Sequence, residues 1–229
     1  MAVIKWPANS AVPRELVRQL PAEISQRKMR LLGVGLCRRI WDLLPEDTGR
    51  RAVEAAERYA DGLATDQEFE VAGKQALGVS QRNRKLVEDG ERYRYLGAGL
   101  GLWLTNKKLT GWHILDSSYS YMPIWDDAAE AVVHAGGNWH DELGAFCDLT
   151  RCVFGNPYTS VEVEPHWRSD DVMALARSFY ESRDADILPV LADALMEAGC
   201  TSEEMIHHCR AKGPHVRGCW VVDKLLGKE

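Results

Sequence analysis

With 229 residues, 45% of them hydrophobic and 27% charged, the chain has ordinary globular composition and is long enough to bury one substantial core or two smaller ones. A formal charge of −6 and a pI near 5.7 exclude a protein that is basic overall and coats nucleic acid, though not a local basic patch. The opening residues carry neither the long apolar core nor the small-residue cleavage site of a secretory signal, and the longest apolar run, LGAGLGLWL (96–104), is about half of the ~20 residues a membrane span needs. The expectation is a cytoplasmic protein without a membrane span, its six cysteines (37, 147, 152, 200, 209 and 219) reduced and mostly on apolar helical faces.

The first strong pattern starts at Met29, followed by Leu32, Leu36, Ile40 and Leu43 at helical steps, and predicts an amphipathic helix that stops at Pro45. Gly33 and Gly35 within it point to the close approach of another helix. This stretch overlaps a basic window, 13–40, in which seven arginines and lysines face only Glu15 and Glu23, so the rest of the chain is distinctly acidic. A second helix is predicted over 49–61, closed by Gly62. Thr65 and Glu68 then form a capping box that opens a third, running to about 88.

The segment 93–138 is the least regular, broken by glycines and Pro123, with helices expected at about 92–104 and 125–135 around an aromatic loop. A helix opening at Asn138 should run to about Val153. FGNPYTSVEVEPHW (154–167), with two prolines and alternating Val161 and Val163, reads as an extended connector and as the boundary between an N-terminal region, 1–153, and a C-terminal region, 154–229, if the chain is not one continuous domain. Val172, Leu175, Ala176, Phe179 and Tyr180 fill the helical template over 169–182. Another helix over 187–198 closes at Gly199, and Thr201 with Glu204 repeats the capping box before a short helix holding Met205, Ile206 and Cys209. Pro214 forces a turn, and a last helix carries Trp220, Val221, Leu225 and Leu226. Short loops between such segments predict an all-α helical bundle with an irregular glycine- and aromatic-rich middle and one extended connector.

MRLLGVGLCRRIWDLLPEDTGRRAVEAAERYADGLAT (29–65), FGNP (154–157), ILPVLADALMEAGC (187–200), HHCR (207–210) and GPHVRGCWVVDKLLGKE (213–229) together resemble a family of bacterial proteins built from these blocks around a variable, often alanine-rich helical middle. The resemblance covers roughly half the chain, at its two ends, and implies kinship without a mechanism, because the family has no assigned activity. Where members often carry two adjacent cysteines before Arg-Arg, this chain has Leu36-Cys37, and its middle is rich in glycine and aromatics.

Four places are candidates for function. Cys200, Cys209, His215 and Cys219 have finger-like spacing, but a helix from Thr201 to Arg210 holds Cys200 and Cys209 about 13 Å apart, too far for ligands at 2.0–2.3 Å from one zinc. A reduced zinc site, from His208 or Cys209 with His215 and Cys219, survives if the Gly213-Pro214 turn folds the second pair onto the first; otherwise Cys209 and Cys219 are small buried hydrophobes and His215 satisfies a carbonyl. The cluster of Asn138, His140, Glu142, Cys147 and Cys152 reads as an acidic helix N-terminus, since His140 and Cys147 sit about 10 Å apart. Arg27, Lys28, Arg30, Arg38 and Arg39 are candidate phosphate contacts for nucleic acid, weighed against the solvated face of a bundle helix. Trp112, Tyr119, Tyr121 and Trp125 are the expected protein-partner contacts, because aromatics dominate interface hot spots. No phosphate loop, nucleophile elbow or HExxH signature is present. The expectation is a non-enzymatic protein-binding or regulatory module without a cofactor. A zinc-binding protein or metal-dependent enzyme is the alternative, and nucleic-acid binding the third reading.

Overall fold

A computed structural model describes residues 12–21, 23–44, 46–83, 104–105 and 124–228. Among them every regular element is helical and no strand occurs, so the all-α prediction holds. The chain divides between Cys147 and Asp148 into two compact units.

In unit 9–147, α1 (Pro13–Arg18) leads into α2 (Gln26–Arg39), which begins three residues before the apolar stripe because the Ser25 hydroxyl accepts from the Lys28 amide. Helix α2 is buried from Met29 to Cys37 and packs on α3 (Glu46–Ala60) and α5 (Ile124–His134), while α3 packs on α4 (Asp66–Asn83). The capping box that opens α4 has both arms: the Glu68 amide donates to Thr65 Oγ1 at 3.2 Å, and the Thr65 amide to the Glu68 carboxylate at 2.7 Å. The predicted irregular helix at 92–104 lies outside the described residues, apart from Leu104. Helix α6 (Trp139–Phe154) opens on Asn138, whose side chain accepts from the His140 amide.

Unit 148–229 is built on α7 (Asp170–Ser182), α8 (Ile187–Glu197), α9 (Glu203–Arg210) and α10 (Trp220–Leu226), together with the C-terminal end of α6. Val172, Ala176, Phe179 and Tyr180 from α7 meet Leu188, Leu191, Ala192 and Leu195 from α8, with Met205, Cys209, Val221 and Leu225 from the last two helices. The connector carries no helix from 155 to 164 and then one 3-10 turn, Pro165–Trp167; Val161 and Val163 turn onto the core, and Trp167 is buried in it. One expectation shifts by a residue. Ser202 rather than Thr201 caps α9, its hydroxyl accepting from the Met205 amide, a register that sends Met205 and Cys209 together into the core. No helix among the described residues is long and apolar enough to cross a membrane.

Candidate metal centre

The last two helices are too short to be stable alone, so what their ends touch decides their placement. On α9, Met205 and Cys209 occupy one face, one turn apart, and point into the core. His208 lies about 100° round the helix from Cys209, so it faces elsewhere. The chain then leaves α9 at Ala211, turns through Gly213-Pro214, and re-enters a helix at Cys219 after Gly218, whose φ of +95° is a left-handed conformation that suits glycine. This return brings His208 Nε2 to 3.2 Å from Cys219 Sγ. His215, on the returning segment, stands with its ring centroid 5.0 Å from that of His208 and edge-on to it.

A fourth donor comes from far away in sequence. Cys152, near the end of α6, lies 63 residues before His215, and its sulfur sits 3.6 Å from His215 Nδ1. Donor atoms of Cys152, His208, His215 and Cys219 all fall within 4.8 Å of one another. In a tetrahedron with Zn–S near 2.3 Å and Zn–N near 2.0–2.1 Å, ligand atoms are about 3.3–3.8 Å apart, and the two separations just given lie at this scale. Both thiols are buried, and both imidazoles are half-buried.

The second nitrogen of His215 also has its place. Nε2 lies 3.1 Å from the Ala211 carbonyl and can donate to it, so loss of the Nδ1 proton, which otherwise faces the Cys219 sulfur, would leave Nδ1 as a bare ligand atom. Metal-ligating histidines commonly hold their other ring nitrogen in this way. Electrostatics favour the ligand form of Cys219. Burial alone would push this thiol up, yet hydrogen bonds from Cys152, His208 and His215 and the positive charge His208 can carry outweigh it and hold it well below its ordinary value. For His215, burial pulls the value down, and contact with Cys219, the Ala211 carbonyl and Asp148 raises it above the ordinary 6.5 on balance. Two thiolates and two neutral imidazoles around a divalent ion sum to zero charge, which suits a buried site.

Of the four residues that the sequence nominated as ligands, His208, His215 and Cys219 converge and Cys209 does not. Its sulfur is in the apolar core, where burial and the neighbouring Cys219 and Cys200 push the thiol far up, the opposite of what a ligand needs. Cys152 was visible to sequence analysis only as a member of the 138–152 cluster, and His140, the imidazole of that group, is exposed. All six cysteines are buried and unbridged.

The basic window folds largely onto its own unit. Arg27 pairs with Asp61 at 3.1 Å, Arg38 with Glu57 at 2.8 Å, and Arg39 makes a two-pronged contact with Glu142. Arg30 is buried, donates to the Leu104 carbonyl and lies over the rings of Phe69 and Tyr59; burial pushes its guanidinium down to about 10, with Tyr59 opposing, so it stays cationic at neutral pH. Lys28 contributes its amide to the Ser25 cap. Of the aromatic contacts expected for a partner, Trp112, Tyr119 and Tyr121 lie outside the described residues, and Trp125 is on α5, its side chain likewise outside them. No family model, curated protein or solved structure matches the chain.

Proposed function

We propose that the protein is a non-enzymatic helical binding module whose C-terminal unit is held together by one zinc ion on Cys152, His208, His215 and Cys219. The observation that carries this reading is the convergence of two thiols and two imidazoles within 4.8 Å, from three separate segments of the chain. A soft, sulfur- and imidazole-rich donor set suits zinc above the hard divalent cations. Four protein ligands close the coordination shell, which is the pattern of a structural centre; a catalytic zinc keeps a position open for water.

The same cluster invites a second reading, since a histidine 3.2 Å from a thiol of lowered pKa is also the arrangement of an activated nucleophile. Burial argues against it. Cys219 is 0% exposed and Cys152 is 1% exposed, so no substrate atom reaches either sulfur without opening the unit. The test is elemental analysis of the purified, untagged chain, followed by replacement of the metal with cobalt. One zinc per chain, and a cobalt form with tetrahedral and thiolate charge-transfer absorption, is the expected result. A chain that holds no metal and takes none up refutes the reading.

A further inference from the structure

Beside the metal cluster, the same unit contains a cavity of about 330 Å³. Its walls hang on the three segments that carry the ligands. Phe154 and Tyr158 follow Cys152, Glu204 lies one turn before His208 on α9, and Trp220 and Lys224 follow Cys219 on α10. Trp220 is fixed from two sides. Its indole lies 5.5 Å from the His208 ring, centroid to centroid, and Gly155 presses on it so closely that a Cβ there would stand 3.0 Å from the ring. With φ at +59°, Gly155 also holds a conformation that a side chain would strain.

Two opposite charges line this cavity and do not neutralise each other. Glu204 accepts only a long 3.4 Å hydrogen bond from Thr159 Oγ1, and the Lys224 ammonium has no hydrogen-bond or ion-pair partner among the described residues. The volume is at the small end of the range for ligand sites, and such sites typically combine apolar walls with a few polar groups that fix orientation. A partly open, mixed lining, in which the rings of Phe154, Tyr158 and Trp220 stand beside polar groups and two unlike charges that are not paired with each other, matches a small zwitterion, which would satisfy both charges at once where a simple anion or cation would satisfy one. We propose that this cavity binds a free α-amino acid with an apolar side chain, its carboxylate on Lys224, its ammonium on Glu204 and its side chain against Phe154, Tyr158 and Trp220. The inference rests on the zinc reading in that the metal holds the three wall-bearing segments in register.

The test is titration calorimetry of the full chain, its zinc content measured beforehand, with leucine and phenylalanine, and with N-acetyl-leucine and leucine amide, each of which lacks one of the two charges. Saturable binding of the free amino acids is expected, with the blocked forms weaker by at least about tenfold. Lys224→Ala and Glu204→Gln should each weaken leucine binding by at least about tenfold while leaving the zinc content unchanged. Absence of saturable binding to zinc-loaded protein overturns the proposal and leaves the metal reading standing, as does blocked leucine binding as well as free leucine. A chain without zinc that still discriminates free from blocked leucine sinks the metal reading alone and supports the cavity.

Discussion

Replacing His215 with alanine removes one of the four proposed zinc donors and leaves the core of its unit untouched, so it isolates what a bound metal would contribute. A unit spanning 148–229, at the usual stability per residue, has a net folding free energy on the order of 4–12 kcal/mol. An ion that binds only the folded form adds about 4 kcal/mol when free zinc stands a thousandfold above its Kd, a large share of that total. Losing it opens the α9–α10 segment, whose two helices are among the shortest in the fold and are tied to α6 through Cys152. Hydrogen exchange resolved over residues 203–226 is the appropriate assay, because it reads local opening without a two-state assumption for a chain of two units. Exchange there should accelerate by roughly a thousandfold, the equivalent of about 4 kcal/mol, with metal content falling to zero. Cys152→Ser should behave alike. Cys209→Ser provides the contrast: it buries a hydroxyl in an apolar core, costs about 1–3 kcal/mol, and keeps the zinc. A His215→Ala chain that retains its zinc, or a folded Cys209→Ser chain that loses it, refutes the ligand assignment.

The pH dependence of zinc affinity has a defined sign. In the metal-free chain His215 is raised above its ordinary 6.5, so protons compete with zinc at this nitrogen as the pH falls, while Cys219, held well below its ordinary 9.0, competes less. Apparent affinity measured by chelator competition should therefore fall as pH drops from about 8 to 6, and an affinity that is flat or rises would contradict the site. Gly155→Ala combines a left-handed backbone with a methyl group pressed on the Trp220 ring and should destabilise by about 1–3 kcal/mol, read as faster hydrogen exchange in α10. In the other unit, Arg30→Ala strands the Leu104 carbonyl and forfeits two ring contacts, at about 2–4 kcal/mol, whereas Arg51→Ala breaks only a contact with Asp47 in which the side chains are 67% and 81% exposed, and should cost no more than about 1 kcal/mol. Urea unfolding of the two variants orders them, and equal effects would show that the burial of Arg30 is not what matters.

The difference between what was legible in the sequence and what was not follows the range of the interactions. The helices of unit 148–229 were readable because their signals are local: apolar positions at helical steps along α7, and Gly199 with a φ of +80° just past α8. The slip at Thr201 has the same origin, since Thr201 and Ser202 offer equivalent hydroxyls and only the burial of Met205 and Cys209 selects between them. That selection also carried the missing information about the metal. Once Cys209 belongs to the apolar stripe with Met205, it cannot also turn toward His208, and the cluster is left one ligand short. A fourth protein donor for the proposed site comes from outside the C-terminal block, and that it is Cys152 depends on how α6 packs, which no periodicity encodes. Cys152 sits on α6 with Cys147, Leu149 and Val153 as buried neighbours, so in the sequence it looks like one more small residue of a core face. Only the approach of His215 to within 3.6 Å of its sulfur distinguishes it. A donor set assembled across such a distance forms only after its helices have docked, so the metal should bind late in folding and lock a unit whose core is already in place, rather than nucleate it. Refolding with and without zinc tests this: the metal should slow unfolding far more than it speeds folding.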